Sequence, residues 1–465
     1  MLANLPSELL RLIAGCLESE RDINALAETN RRFSLLLDPF LYRHNVQQTD
    51  CTALFWAATR GRVQTARKAI NAGASGEHSV PPLIEKRIGG NKGLPFGLSP
   101  LSQAARNGHD GIVKLLLGLK SVDVNRKDTS HRTPLFWAVE NGHATTIKLL
   151  LDSDQIDANV RDEDTFTPLL LATQLEDDEA VEVLLSSDKV DADIKDERGR
   201  TSLSWAAESG NATITQLLLN SARVDADSKD INDQTPLSWA AGAGQVATVK
   251  LLLESGKVDA DSRDTYGRTP LSHAAEITSF YGNYNEVIRM LLNSAKVETD
   301  SKDDGGLTPL GYAAFGGFIA VVELLLDSGN VDPNSRNYRG ATPLHHAAGN
   351  GHTAVVELLL NLDNVDANSV DTYGETALLC AAVWGYDATV GLLLSSSKVV
   401  DIDIKDGRRR TPLWWAAEKN HIAVGEMLLN SGRVDVNSKD NDGLSPLDVA
   451  TVKGHGVFAK LLLTK

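Results

Sequence analysis

The sequence predicts an all-α-dominated fold, a solenoid of helix–turn–helix units joined by hairpin-like loops, behind a small three-helix N-terminal domain. Three observations support this fold class. A T/S-x-L triplet recurs through most of the 465 residues. Each triplet opens an apolar pattern with the spacing of a helix. Residues 1–48 carry no copy of the repeat. A repeat of this length indicates a solenoid, because one unit alone buries too little apolar surface.

Twelve copies of the triplet open a repeat, and most of these copies are 34 residues apart. Longer spacings of 47, 39 and 35 residues follow three of the copies. The triplets begin at Thr52, Ser99, Thr133, Thr167, Thr201, Thr235, Thr269, Thr308, Thr342, Thr376, Thr411 and Ser445. We number the repeats 1 to 12 in this order.

The third repeat shows how each unit is expected to fold. Thr133 is placed to cap a first helix through its hydroxyl, and Pro134 suits the first helical position, where no N–H is required. Gly142 ends this helix, since glycine tolerates left-handed backbone angles. Ile147 and Leu150 then share one face of a second helix. A polar, turn-rich loop leads to the next triplet.

The period alone fits two repeat families, but the tetratricopeptide pattern is missing. The motif TPLxxAAxxGHxxxVxxLL followed by VDxxxKDxxGxT resembles the ankyrin repeat over residues 49–465. One residue beyond the usual 33 lies in the SxKVD segment. Four loop tips replace the glycine of this motif, so these hairpins are expected to be less regular. Their residues are His131, Thr165, Asp233 and Arg409.

The segment LPSELLRLIAGCL and the two short helical patterns after it resemble an F-box within residues 1–48. This resemblance implies docking to a Skp-family adaptor and, through it, to a cullin-based ubiquitin ligase. The family's adaptor contact falls here on Leu5, Pro6, Leu9, Ile13 and Leu17. The combination is similar to the F-box ankyrin proteins of filamentous fungi. In the alternative, these helices only cap the open end of the solenoid.

Two insertions interrupt the array, at residues 75–98 and 276–286. The first is either a recognition loop or a tolerated extension of a hairpin. The second contains Phe280, Tyr281 and Tyr284, which are expected to be exposed. Exposed aromatic side chains often anchor partners, although these three also have the option of folding back onto neighbouring turns.

Five tryptophans occupy one position, four residues after the first residue of the triplet, which we call the slot. They are Trp56, Trp137, Trp205, Trp239 and Trp415. A row of indole rings along the array is a candidate surface for a client protein. The same regularity also fits a structural role, with each ring packed on its neighbours.

Composition and motifs narrow the possible functions. The formal net charge of −16 argues against nucleic-acid binding, which needs a basic surface. The loop acids do not follow the ligand spacing of a calcium loop, so no metal is expected. No cofactor-binding or catalytic motif is present, and we expect the histidines after the inter-helix glycine to be structural. Three scattered cysteines suit a reducing compartment. We expect no leader peptide or membrane span.

The sequence therefore predicts a non-enzymatic, monomeric, cytoplasmic or nuclear protein that binds other proteins. Its predicted role is that of a substrate receptor in a cullin ubiquitin ligase, with an unknown client held by the repeat face. The alternative is a scaffold without catalytic activity whose N-terminal helices cap the array.

Overall fold

A computed structural model describes residues 42, 43, 45, 52–76, 97–276, 283–294 and 296–464. Over these ranges the chain forms helices and no strands, so the predicted all-α repeat fold is confirmed. The proposed adaptor contact at Leu5, Pro6, Leu9, Ile13 and Leu17 lies outside the described residues. So do Phe280, Tyr281 and most of the insertion at 75–98.

Each of the twelve triplets opens a pair of antiparallel helices. The first helices of the pairs are α1 (Thr52–Arg60), α3 (Pro100–Arg106), α5 (Pro134–Glu140), α7 (Pro168–Gln174), α9 (Ser202–Ser209), α11 (Pro236–Gly242), α13 (Pro270–Glu276), α15 (Pro309–Gly316), α17 (Pro343–Gly349), α19 (Ala377–Trp384), α21 (Pro412–Lys419) and α23 (Pro446–Val452). The second helices are α2 (Val63–Asn71), α4 (Asp110–Leu117), α6 (Ala144–Leu151), α8 (Asp178–Leu185), α10 (Ala212–Asn220), α12 (Val246–Glu254), α14 (Tyr284–Asn293), α16 (Ile319–Asp327), α18 (Thr353–Leu360), α20 (Asp387–Ser395), α22 (Ile422–Asn430) and α24 (Gly456–Leu463).

The chain divides into two compact units, one of residues 1–206 and 213–225 and the other of residues 207–212 and 226–465. Within the first unit, the first helices α1, α3, α5 and α7 pack in chain order, and the second helices form a parallel row. Within the second unit, the first helices from α11 to α23 do the same. The leucine and alanines of the TPLxxAA motif are fully buried, as Leu135 and Ala138 show. Burial of one repeat against the next supplies the apolar core that a single repeat lacks.

The hydroxyl of the triplet caps most of the first helices, but not the third repeat. The Thr167 hydroxyl accepts the N–H of Leu170 at 3.3 Å, and Thr411 accepts that of Trp414 at 3.2 Å. The prediction that the Thr133 hydroxyl forms such a cap is wrong, since it is buried without a hydrogen bond. These cap bonds are close to the upper limit of hydrogen-bond length, so a small local shift is enough to break one.

The four hairpin tips without glycine were expected to be irregular, and this prediction is wrong. His131, Thr165, Asp233 and Arg409 have φ values from 58° to 65°, the left-handed region occupied by glycine at other tips. The turn is preserved as well: the Thr165 N–H donates to the Asp162 carbonyl at 3.2 Å, as the Gly199 N–H does to Asp196 at 3.0 Å. The hydrogen bonds of the turn therefore impose a conformation that costs these side chains energy.

The histidines that follow the inter-helix glycine are structural, as predicted. The Nε2 of His143 donates to the Arg106 carbonyl at 3.0 Å, and that of His352 donates to the Phe315 carbonyl at 2.9 Å. Each acceptor lies in the last turn of the preceding first helix, where carbonyl groups lack partners within the helix. These bonds join each repeat to the one before it.

The SxKVD segment, which holds the residue beyond the usual 33, also contains a basic side chain. Like the histidines, this side chain bonds to carbonyl groups of the preceding repeat. The Lys189 Nζ donates to the Leu151 and Ser153 carbonyls, both at 2.9 Å. The Arg223 guanidinium donates to three carbonyls of the preceding repeat, among them that of Leu185 at 2.8 Å. A cation at the C-terminal end of a helix also interacts favourably with the helix dipole.

Candidate functional site

Four of the five slot tryptophans hydrogen-bond to the aspartate of their own hairpin tip. In repeat 5, one oxygen of Asp196 accepts the N–H groups of Arg198 and Arg200 at 2.9 and 2.8 Å, which closes the turn. Its other oxygen accepts the indole N–H of Trp205 at 2.9 Å. The same bond joins Asp128 to Trp137, Asp230 to Trp239 and Asp406 to Trp415, at 3.0 to 3.1 Å. The indole therefore ties the hairpin to the first helix.

Basic side chains cover the faces of several slot rings. The Arg200 guanidinium lies 4.1 Å from the ring centre of Trp205, and Arg410 lies at the same distance from Trp415. Trp137 has Arg106 and Arg132 at 5.3 and 5.1 Å. These are cation–π distances, so the rings already have partners within the chain. This arrangement favours the structural reading of the tryptophan row.

The exposure of the predicted client-binding tryptophans differs along the row. Trp137 is only 3% exposed, so the prediction that its ring is open to a partner is wrong, because its N–H and ring faces are used inside the protein. Trp56 is 42% exposed. Trp205, Trp239 and Trp415 are half-buried. A client-binding role for these four stays a prediction.

Tyr284 is buried, so the expectation that it is exposed is wrong and the alternative, that it folds back onto a neighbouring turn, is confirmed. Its ring is buried at the start of α14, and its hydroxyl donates to the Gly242 carbonyl at 3.3 Å. This carbonyl belongs to the preceding first helix, the position that the histidines reach in other repeats. The tyrosine thus replaces a histidine of the repeat pattern.

Aspartate and asparagine side chains of the hairpin loops accept backbone N–H groups of the next loop along the array. We call this series of hydrogen bonds the ladder and each of its side chains a rung. In one kind of rung, the side-chain oxygen of Asn159 accepts the Asp191 N–H at 2.9 Å, and its amide donates to the Lys189 carbonyl at 2.9 Å. In the other kind, Asp261 accepts the Glu298 N–H at 2.7 Å, while its second oxygen is buried without a hydrogen bond. Burial and the charge of Glu298 raise the pKa of Asp261. The ladder is a set of backbone caps, and no cluster of three metal-ligating side chains occurs among the described residues.

A groove of about 1180 Å³ opens in the second unit, along repeats 7 to 10. We call it the aromatic groove, because four exposed rings line it: Phe315 at 55%, Tyr338 at 75%, Tyr373 at 56% and Trp384 at 66% exposure. In the three repeats that form its floor, the slot holds Tyr312, His346 and Cys380 in place of tryptophan. These side chains are smaller than an indole, so the space over the first helices is left open.

Hydrogen bonds and burial fix the protonation of the groove floor. The Tyr312 hydroxyl donates to Asp303 at 2.6 Å, and burial together with this bond raises the pKa of Tyr312. Burial and the adjacent His345 lower the pKa of His346 to about 4. Burial raises the pKa of the Cys380 thiol as well. At neutral pH these three slot residues are uncharged.

The acids at the groove are unevenly balanced by cations. Four carboxylates line the groove, whereas Arg339 is the one guanidinium among the lining residues. Glu276 pairs with Arg268 at 3.0 Å. Burial and the charges of Asp371 and Asp406 raise the pKa of Glu375. The groove thus combines exposed aromatic rings with more carboxylates than guanidinium groups.

None of the four exposed groove rings was singled out from the sequence. The repeat pattern directs attention to the slot, whereas Tyr338 and Tyr373 belong to the variable hairpin tips and Phe315 and Trp384 to the last turn of a first helix. A signal was available: the tip sequences DTYG (371–374) and NYRG (337–340) each contain a tyrosine, two residues after Asp371 and one residue after Asn337. An aromatic side chain that lies outside the periodic apolar positions has no core to enter, so it is expected at the surface.

Comparison with protein families assigns the array. The family model described as ankyrin repeats (3 copies) matches residues 24–128, 70–162, 101–198, 154–230, 203–298, 257–337, 329–406 and 392–465. The chain belongs to the ankyrin-repeat family. Ankyrin repeats bind other proteins and are in general non-catalytic, and no enzyme family is found for this chain. The ankyrin-repeat protein is accordingly a protein-binding protein.

The same comparison identifies no F-box domain. Its first match begins at residue 24, inside the segment that the sequence predicts to be a separate domain of residues 1–48. The boundary between the two domains stays a prediction. A search of curated proteins gives no match. Among the described residues, no helix is long and apolar enough to cross a bilayer.

Proposed function

We propose that this ankyrin-repeat protein is the substrate-receptor subunit of a cullin-based ubiquitin ligase. Residues 1–48 would dock a Skp-family adaptor, and the repeats would hold the client. The mechanism is proximity, because a receptor brings the client to the ligase and needs no catalytic residue of its own. The observation that carries the adaptor half is the LPSELLRLIAGCL segment, with Leu5, Pro6 and Leu9 at the spacing of an F-box.

The surface of the array supports the client half of this proposal. The aromatic groove exposes four large rings on one face of the second unit, where an ordinary soluble surface has few such side chains. Exposed aromatic rings with polar neighbours are frequent anchors at protein interfaces. This surface is separate in sequence from residues 1–48, so one chain has room for an adaptor and a client.

Adaptor binding is tested with purified components. The full chain is mixed with a Skp-family adaptor and captured, next to a Leu5→Asp, Pro6→Ala double variant. A Trp384→Ala variant is the matched control, because it alters an exposed ring far from residue 6 in sequence. The proposal expects capture of the adaptor by wild type and by Trp384→Ala, and loss with the double variant. Absence of capture by folded wild type contradicts it.

One observation favours the second candidate, a scaffold whose N-terminal segment caps the array. The Asn45 side chain is buried, accepts the Ala53 N–H at 3.0 Å and donates to the Thr52 hydroxyl at 2.8 Å. Residue 45 thus contacts the first helix of repeat 1. If the protein is such a scaffold, the intact chain does not capture an adaptor. Deletion of residues 1–48 is then expected to lower the unfolding temperature, because it removes the cap of the array.

A further inference from the structure

Repeat 10 lacks a charge pair that is present in repeats 7 and 11. In repeat 11 the Arg410 Nε lies 2.8 Å from the tip carboxylate of Asp406. In repeat 7 the Arg268 Nε lies 3.0 Å from that of Asp264. The arginine comes four residues after the aspartate in both repeats. It neutralises the carboxylate and, in repeat 11, also covers the slot ring of Trp415.

In repeat 10, Glu375 replaces this arginine and Cys380 replaces the slot tryptophan. The turn itself is intact, because one oxygen of Asp371 accepts the N–H groups of Tyr373 and Glu375 at 2.8 and 2.9 Å. The arginine and the tryptophan that pair with the second carboxylate oxygen of the tip aspartate in repeat 11 are therefore missing at Asp371. Repeat 10 keeps the acid and lacks its partners.

The charges of Asp371 and Glu375 are not balanced inside the described part of the chain. No basic side chain there lies within salt-bridge distance, 4.0 Å, of either carboxylate. The charge of Arg410 acts on Glu375, but its guanidinium is bound to Asp406. The charge of Asp371 disfavours that of the partly buried Glu375, and a cation from outside relieves this cost.

The surroundings suit a guanidinium more than an ammonium group. Tyr373 and Trp384 line the same groove with 56% and 66% of their surface exposed. A planar guanidinium stacks on aromatic faces and binds carboxylates through two parallel hydrogen bonds, whereas lysine acts as a point charge. Arg410 shows the arrangement within this protein, with a carboxylate at 2.8 Å and a ring centre at 4.1 Å.

We propose that the aromatic groove binds an extended segment of the client protein through an arginine side chain, which pairs with Asp371 and Glu375. Apolar residues next to that arginine contact Tyr338, Tyr373 and Trp384. The net charge of −16 attracts a basic segment over longer distances. This inference rests on the proposed function in one respect, that the array holds a client, and it names the chemistry that the client presents.

The test is a peptide-display selection with the full-length chain. A random library of twelve-residue peptides is selected on wild type and, in parallel, on Glu375→Arg. This substitution restores the acid–arginine pair of repeats 7 and 11, so we expect it to preserve folding and to fill the site from within. Glu323→Arg is the matched control, since it makes the same charge change on an exposed position of α16. The enriched peptides are then synthesised with a fluorescent label, and their Kd values are measured by anisotropy.

The proposal expects enriched peptides that share an arginine and bind Glu375→Arg at least roughly 100-fold more weakly than wild type or Glu323→Arg. Trp384→Ala weakens them roughly 30-fold. Lysine in place of the shared arginine weakens them at least roughly 10-fold. If Glu375→Arg does not fold, Glu375→Gln is the substitute, with a smaller loss of roughly 10-fold. Peptides without arginine, equal binding of the lysine peptide, or no peptide that depends on the groove would each overturn the proposal.

The two proposals fail separately. Peptide binding is measured without an adaptor and depends on Glu375 and Trp384. Adaptor capture depends on residues 5 and 6. A chain that binds arginine peptides but no adaptor is a scaffold with this groove, and a chain that binds an adaptor but no arginine peptide is a receptor with another client site.

Discussion

Residues 97–205 and residues 266–386 are built on one repeat but use aromatic rings in opposite ways. In the first region Trp137 and Trp205 occupy the slot, donate to a tip aspartate and lie under arginines. In the second region the slot holds smaller residues, and the exposed rings belong to tips and helix ends, as with Tyr338 and Trp384. The periodic rings stabilise the array, whereas the rings outside the period are available to a partner.

The two regions also differ at their hairpin tips. Two tips of the first region have His131 and Thr165 in the left-handed conformation, whereas glycine holds it at 267, 306, 340 and 374. The ladder is alike in both regions, because each combines two asparagines with one aspartate. These residues are Asn125, Asn159 and Asp193 in the first region and Asp300, Asn334 and Asn368 in the second. The first region therefore carries backbone strain at two tips where the second region has glycine.

The largest effect is expected from removing a slot ring. Trp137→Ala removes a fully packed ring and leaves Asp128 without its indole partner, so we expect a loss of about 3–5 kcal/mol in the free energy of unfolding. Trp384→Ala removes a ring that is 66% exposed and should cost less than about 1 kcal/mol. Denaturant unfolding of both variants measures the contrast. Equal losses would show that the two classes of ring are not distinct.

The next effect is a loss of stability in acid that originates in the second region. Burial lowers the pKa of His346 from its usual 6.5 to about 4 in the folded chain, so the unfolded chain binds the proton more readily. Stability from this residue is therefore complete above pH 6.5 and falls as the pH is lowered towards 4, by about 2 kcal/mol at pH 5.

His346→Gln does not titrate and should lose less stability than wild type between pH 7 and pH 5. Thermal unfolding at both pH values gives the difference between the two chains. Because the other titrating groups are common to both, their contributions cancel in this comparison. Parallel pH profiles would contradict the assignment of the acid loss to His346.

A smaller effect, a gain in stability, is expected when a ladder acid becomes an amide. Asp261→Asn keeps the bond to the Glu298 N–H and replaces a buried oxygen without a hydrogen bond by an NH₂ donor, as in Asn159. We expect a gain of about 1 kcal/mol at pH 7. The gain should shrink in acid, because the raised pKa of Asp261 means that the folded chain takes up this proton readily.

The reverse change, Asn159→Asp, removes the amide bond to the Lys189 carbonyl and should cost a similar amount. Both variants are compared by denaturant unfolding at pH 7 and pH 5. Two changes of the same sign would show that the rung chemistry does not determine the effect.

The smallest effect is expected at a tip of the first region. Thr165 is β-branched and has a φ of 65°, a conformation that favours glycine. Thr165→Gly relieves this strain, although glycine also gains freedom in the unfolded chain, so a net gain of roughly 0.5 kcal/mol is expected. Gly340→Thr, the opposite change in the second region, should be destabilising in the same thermal assay. A stabilising Gly340→Thr would contradict the strain account.

Periodic positions could be predicted from the sequence, and contacts outside the period could not. The helix pairs and the structural histidines, such as His143, follow from residues that recur every 34 positions. Trp137 was placed in the right slot with an open alternative, because spacing does not reveal that Asp128 accepts its N–H. For Tyr284 the sequence left exposure and fold-back open, because the insertion before it hides its match to the histidine position. The groove was not predicted, because it arises where the slot positions 312, 346 and 380 hold side chains smaller than tryptophan.

The backward links of Lys189 and Arg223 bear on how such an array changes in length. Each link joins a basic side chain to carbonyls 33 to 38 residues earlier in the chain. A gene segment of one full period carries one donor and one set of acceptors. Unequal recombination that adds or removes such a segment therefore leaves no donor or acceptor unmatched at the junction. The number of repeats can drift in evolution while each junction stays chemically complete.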